Sequence, residues 1–270
     1  CLQGNESTAE ENVCFFLHGS GGTGKTFVYN TLCNFLRSQG KIVLCVASSG
    51  IAALLLYGGR TSHFRFKIPL AVHDTSQCFI NKNSNLGKLI RQTSLIIWDE
   101  VPMQNKFCFQ AVDKTLQDVC GKEGVLFGGI NVIFGGDFAQ IPPVVKNGNR
   151  AATVESSIKR SYLWSNIVVL QLSINMRVTG LSNNDIHFKN WLIDMSYNRE
   201  FHSTNIYLPT YLHQTKKLKE LISAVYPPSV LQRALVDGSY FYKSAILTTR
   251  NATVDSINEE VLKLMPGKNW

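Results

Sequence analysis

Near the start of the chain, Gly19-Ser20-Gly21-Gly22-Thr23-Gly24-Lys25-Thr26 sets glycines, one cation and one hydroxyl at fixed spacing. Glycines let backbone N–H groups converge on a phosphate, and a helix beginning here adds positive potential. Lys25 can reach the β- and γ-phosphates of a nucleoside triphosphate, and Thr26 can offer its hydroxyl to Mg²⁺. Further on, an apolar run ends in Asp99-Glu100. A carboxylate pair at such a place suits a ligand at the edge of an α/β sheet. Asp99 would hold Mg²⁺, directly or through water, and Glu100 would orient and polarise an attacking water. The pair points to hydrolysis rather than to nucleotide binding alone. Gln140, in Gly135-Gly136-Asp137-Phe138-Ala139-Gln140-Ile141-Pro142-Pro143, is a neutral amide suited to a γ-phosphate or a water. A structural turn explains the same glycines and prolines.

These groups need a frame. Val13-Cys14-Phe15-Phe16-Leu17, Ile42 to Val46, Leu95 to Trp98, Val132 to Phe134 and Val168 to Leu170 read as buried strands. Val28, Leu32, Phe35 and Leu36 fall on one face of a helix that Gly40 ends. Phe109, Val112, Leu116 and Val119 make a second helical stripe. Apolar strands alternating with helices predict an α/β fold with a parallel sheet covered on both faces. From about Gly180 to Pro228 the pattern is helical or irregular. Ala245 to Thr248 then reads as a strand and Asn251 to Leu264 as a helix, the opening of a second α/β unit.

The chain has 270 residues, 44% hydrophobic and 17% charged, with a formal charge of +8. That excess cation suits an anionic partner, nucleic acid first among them, or serves solubility alone. The seven cysteines include no C-x-x-C pair, which argues against zinc and for a reducing, intracellular compartment. No apolar run is long enough to span a membrane, and no signal peptide is visible. The first residue is Cys, so the chain is expected to be a fragment. Arg60, Thr61, His63, Arg65, Phe66 and Lys67 interleave cations with an aromatic. That mixture fits a single nucleic-acid strand, phosphates on cations and a base on a ring. A basic loop with Phe66 anchored in the core, and His63 as a structural hydrogen-bonder, fits it too.

Several of these segments together resemble the Pif-one family of superfamily-one DNA helicases. They are Gly19 to Thr26, Leu95 to Met103, Gly135 to Val144, Val46 to Ala53, Gly58 to Pro69, Asp113 to Val119 with Phe127-Gly128-Gly129, Ser161 to Trp164 and Leu172 to Arg177. The likeness is dense over residues 13–178 and weaker over 246–267. The form with Trp98 is similar to copies carried by Helitron transposons. The resemblance implies two RecA-like domains: the first over residues 1–178, then linker helices and a partial second domain over 179–270. It implies ATP and Mg²⁺, with Lys25, Thr26, Asp99 and Glu100 as above, Gln140 as γ-phosphate sensor and Arg177 as an arginine finger. It places DNA contacts in the Arg60–Lys67 stretch.

The implied activity is ATP-driven 5'-to-3' translocation on single-stranded DNA with unwinding of duplex. The implied setting is a monomer at nuclear or mitochondrial DNA, in repair, recombination or telomere maintenance. Departures exist. The family's glutamine-containing adenine motif is not recognisable in Cys1–Asn12. Gly121 to Leu126 replaces a more basic, proline-containing stretch. The family's second-domain motifs are not in the sequence. Two other readings are another P-loop ATPase or nucleotide kinase, though no arginine-rich acceptor lid is visible, and a transposon-derived remnant that binds DNA without unwinding it.

Overall fold

The computed structural model describes residues 14–176, 182–198 and 205–267. The chain forms two compact units, divided after Asn205. The first unit runs β1 (Cys14–His18), α1 (Lys25–Ser38), β2 (Ile42–Ala47), α2 (Gly50–Leu54), β3 (Arg60–Thr61), α3 (Ser62–Phe66), α4 (Asn85–Arg91), β4 (Thr93–Asp99), α5 (Lys106–Cys120), β5 (Asn131–Gly136), α6 (Arg150–Glu155), β6 (Ile167–Gln171) and α7 (Asn183–Tyr197). Its six strands are all parallel, in the order β3-β2-β4-β5-β1-β6. From β1 the chain crosses to β2, and from β5 it passes β1 to reach β6 on the far side. Open α/β sheets place their ligands at such a reversal, beyond the strands' carboxyl ends.

The apolar strands serve two cores, one per face. Val43, Cys45, Ala47, Leu95 and Ile97 pack with Leu17, Tyr29 and Cys33 against the α1 and α2 side. Leu44, Val46, Ile96 and Trp98 pack with Phe66, Phe109, Val112 and Phe134 on the other. Successive residues of a strand point to opposite faces, so burying both faces requires an unbroken apolar run. The α5 stripe of Phe109, Val112, Leu116 and Val119 is sealed, as its period predicts. The α1 stripe is displaced by one residue. Tyr29 and Cys33 are the buried positions, Val28 and Leu36 pack partly, and Phe35 faces solvent. Hydrophobicity drew the expected stripe through Phe35. The packing instead selects Tyr29, four residues before Cys33 and thus on the same face.

Asp113 on α5 explains much of one sequence signature. Its carboxylate is fully buried and accepts from Phe127 N–H (2.6 Å), Tyr162 Oη (2.7 Å) and Gln117 Nε2 (2.9 Å). Phe127 has φ 49° and Gly128 φ 62°. The acid therefore clamps a left-handed turn that leads into β5.

The second unit holds α8 (Leu218–Val225), α9 (Pro228–Ala234) and α10 (Asn251–Leu264), the last over the span its sequence predicts. Ala245–Thr248 is not a strand. A parallel strand needs a neighbouring ladder, and no strand is found among the described residues of this unit. Ile246 lines an apolar cavity of about 510 Å³ with Tyr226, Phe241 and Ile257 instead.

Candidate active site

The carboxyl ends of β4, β5 and β1 lie side by side, and the turns leaving them carry the candidate residues. β1 opens into the Gly19–Thr26 loop. Gly19 N–H donates to Gly136 O on β5 (3.4 Å), tying the loop to its neighbour. The Thr23 hydroxyl and amide both donate to Ser20 O, at 2.9 and 3.4 Å. Gly22 and Gly24 have φ of 86° and 89°, a region that glycine enters without strain. No side chain caps α1, and its first turn carries no acidic residue. The positive helix end is therefore left to face the loop. Lys25 Nζ lies across the loop's mouth, donating to Gly19 O (2.6 Å) and Ser20 O (3.3 Å).

The segment after β6 holds the loop from outside. Met176 N–H donates to Gly22 O (2.8 Å) and Asn175 Nδ2 to Gly21 O (3.2 Å). Arg177 comes next and lies outside the described residues, as does the Cys1–Asn12 stretch upstream of β1.

Asp99 ends β4, buried, with Oδ1 lacking a hydrogen-bond partner. Burial raises its pKa, opposed by the Glu100 backbone N–H, Lys25 and the Tyr29 hydroxyl. Glu100 is half-buried, and its pKa is raised by burial first and Asp99 second. It has φ 53°, an uncommon state for a side chain with a Cβ. Strain of this kind is held where a site needs a side chain aimed out of the sheet. Gly136 accommodates the turn that follows, because a Cβ there would strike Pro102 Cδ.

Gln140 is exposed, and its Nε2 donates to Asp137 Oδ2 (3.2 Å). Asp137 is a buried hub that the residue pattern did not single out. It also accepts from Tyr197 Oη (2.6 Å) and Ala139 N–H (2.9 Å), with His18 Nε2 at 3.9 Å. Burial lowers the His18 pKa, and burial with Asp137 raises that of Tyr197. A cavity of about 440 Å³ brings Ser20, Gly21, Asp137, Gln140 and Asn175 together with Phe188, Leu192 and Tyr197 of α7. Gln104 is a second hub missed in the sequence. Its Oε1 accepts from Ser48 Oγ (2.9 Å), Ser62 Oγ (3.1 Å) and Trp98 Nε1 (3.3 Å), linking α3 to the strand that carries Asp99.

The candidate DNA stretch is split by its fold. Arg60 and Thr61 form β3 beside Val46 and Ala47, and Thr61 caps α3. Arg60 is exposed, while Thr61, His63 and Arg65 are half-buried. Burial lowers the pKa of both His63 and Arg65, and Arg60 adds to the effect on Arg65. Phe66 must be removed from the set. It is fully buried with its ring centroid 5.4 Å from that of Trp98, so no base can stack on it. The outward aromatic is Phe64, 59% exposed, with Lys67 Nζ 4.4 Å from its ring centre. A five-residue helix facing a core buries only one side, which an alternation of types does not reveal.

Among the described residues no group of His, Cys, Asp and Glu forms a metal cluster, and no helix is long and apolar enough to cross a membrane. The six described cysteines are free thiols.

The motif order and the sheet have a counterpart among known proteins. The family model described as PIF1-like helicase matches residues 4–204. The chain belongs to the PIF1-like helicase family. The Trypanosoma brucei brucei ATP-dependent DNA helicase PIF1 is 33% identical over 135 residues, covering 48% of this chain and 13% of that protein. The Psychrobacter ATP-dependent DNA helicase Pif1 is 26% identical over 255 residues, covering 94% of this chain and 35% of that protein. The crystal structure of a Bacteroides Pif1 helicase with ADP-AlF3 and ssDNA shares the fold, with a TM-score of 0.66 at 24% identity. It covers 96% of this chain and 55% of that one. The chain thus spans only part of the length of these PIF1-like relatives. The loop, the Asp99-Glu100 pair and Gln140 all fall inside the matched span.

Proposed function

We propose that this chain is the ATP-binding and ATP-hydrolysing portion of an ATP-dependent DNA helicase. The observation that carries the reading is the convergence of the Gly19–Thr26 cradle, Asp99, Glu100 and Gln140 at the carboxyl ends of adjacent parallel strands. Backbone N–H groups of the loop and α1 bind the phosphates, and Lys25 moves from Gly19 O onto the β- and γ-phosphoryl oxygens. Glu100 orients and polarises water for in-line attack. Burial and the neighbouring Asp99 raise its pKa, the direction that strengthens a general base. Gln140, pinned through its amide to Asp137, presents its carbonyl to the γ-phosphate side.

Mg²⁺ fits the residues present. Asp99 ends β4 close enough to Lys25 to feel its charge, and Thr26 adds a hydroxyl at the start of α1, both hard oxygen donors. When bound, the ion would offset phosphoryl charge. Arg177, directly after the segment that holds the loop, is proposed as the arginine finger. DNA is the proposed partner, with Arg60, Thr61, His63 and Arg65 along the strand and Phe64 the available ring. The divisions 1–178 and 179–270 are proposed as the first RecA-like domain and the linking helices with part of a second. Travel from 5' to 3' on nuclear or mitochondrial DNA, in repair, recombination or telomere maintenance, completes the proposal and rests on family likeness. Fluorescent ATP-analogue binding by the 270-residue chain tests its base. Lys25→Ala should weaken binding at least about a hundredfold, from the loss of charge-assisted bonds to two phosphates. Equal binding by Lys25→Ala and wild type would refute the site.

A further inference from the structure

Tyr29 combines a core position with a polar tip that apolar packing does not require. It is fully buried on α1, and its hydroxyl has no hydrogen-bond partner within normal geometry. A sealed, unpartnered hydroxyl is costly, and a phenylalanine would fill the same core without that cost. The residues around it indicate what the hydroxyl faces. Leu95 and Ile97 of β4 pack in the same core as Tyr29, so strand alternation puts Asp99 on that face too. Ile133 of β5 packs against that core, so Gly135 also lies on that face. Trp98 pairs with Phe134, which sets Asp99 beside Gly135.

Gly135 is where the two meet. A Cβ on Gly135 would coincide with the Tyr29 hydroxyl, and it would lie 3.5 Å from Asp99 Oδ1. The missing side chain opens a slot through which the phenol reaches the carboxylate. Asp99 Oδ1 is itself sealed and unpartnered. A buried donor and a buried acceptor, neither in strict hydrogen-bond geometry with any group yet close enough for the hydroxyl to lower the Asp99 pKa, thus border one gap between two strands. This gives a physical reason for two successive glycines at the end of β5. Gly136 makes room for Pro102, and Gly135 makes room for Tyr29.

We propose that Tyr29 is a positioning residue for Asp99, its hydroxyl entering through the Gly135 slot to orient the carboxylate toward the divalent cation of a bound nucleotide. The inference rests on the proposed nucleotide site. Groups that hydrogen-bond to a metal-binding carboxylate fix its rotamer, and their loss costs about tenfold or more in metal affinity. Tyr29→Phe keeps the ring and its packing and removes only the oxygen.

The test is Mg²⁺ titration of a fluorescent ADP analogue bound to the 270-residue chain, with a parallel titration in EDTA. Wild type should bind more tightly with Mg²⁺. In Tyr29→Phe the half-saturating Mg²⁺ concentration should rise about tenfold, with metal-free affinity unchanged. A purely structural role would weaken both titrations together and would overturn the proposal. In an Asp99→Ala background the same change should have no further effect, because the hydroxyl acts through the carboxylate. A Mg²⁺ effect in wild type that Tyr29→Phe leaves unchanged overturns this inference alone. No Mg²⁺ effect in wild type overturns the Asp99 metal site and the inference with it, whereas no binding of the ADP analogue at all overturns the nucleotide site.

Discussion

Asp113→Ala removes the acceptor of three donors at once. Phe127 N–H loses its 2.6 Å partner in a sealed environment, where a stranded backbone amide costs about 1–3 kcal/mol. Tyr162 is half-exposed and can turn its hydroxyl to water, so its 2.7 Å bond adds less than about 1 kcal/mol. Gln117 lies on the same helix and can likewise rotate outward. A small cavity adds about 1 kcal/mol more. The sum is about 3 kcal/mol. With a urea slope of about 2 kcal/mol/M, the midpoint should fall by about 1.5 M. Urea unfolding followed by tryptophan fluorescence measures it. Asp113→Asn keeps one acceptor oxygen for Phe127 and should lose about half as much. Tyr162→Phe should lose under about 1 kcal/mol. A loss for Asp113→Ala no larger than that for Tyr162→Phe would refute the reasoning. It would mean that the Phe127–Gly128 turn holds its left-handed path without the clamp.

Phe66→Ala should destabilise the first unit by about 3–5 kcal/mol as a core truncation. Phe64→Ala should leave urea stability unchanged and weaken single-strand binding, and the reverse pattern would restore Phe66 to the DNA face. Arg60→Ala should lower the slope of log K against log salt by about 1, read by fluorescence anisotropy with a labelled oligonucleotide. Gln104→Leu leaves two serine hydroxyls and the Trp98 indole N–H without their shared acceptor. It should cost about 2 kcal/mol, with a changed Trp98 emission as its marker. Burial pushes Cys14, Cys45 and Cys78 up to about 12 from an ordinary 9.0. Below pH 9 both states hold these protons. As pH rises from 9 to 12 the unfolded chain releases them and the folded chain does not, so stability should fall by on the order of 1 kcal/mol per thiol at pH 10. A flat stability profile across that window would contradict their burial.

The sheet was legible because burial on both faces forces unbroken apolar runs, and Ile42 to Val46 and Leu95 to Trp98 have no other use. The glycine-rich loop between β1 and α1 was legible because its pattern is a fixed spacing within one turn. Side chains that meet across elements were not. Tyr29 reads as one more aromatic on a helix until Gly135, far along the chain, is seen to make room for it. Asp137 sits inside a motif yet draws its partners from β1 and α7. Phe66 and Phe64 are alike in type and two residues apart, and only the core decides which is hidden. Ala245–Thr248 has strand-like composition, but a strand requires a partner that composition does not supply.

The central claim is ATP hydrolysis coupled to single-stranded DNA. It is tested most directly by phosphate release from the protein containing this chain, with and without an oligonucleotide, comparing wild type with Glu100→Gln. The account predicts DNA-stimulated release in wild type and a fall in kcat of at least about a hundredfold in Glu100→Gln, with nucleotide binding retained. DNA-stimulated release that survives Glu100→Gln undiminished would contradict it.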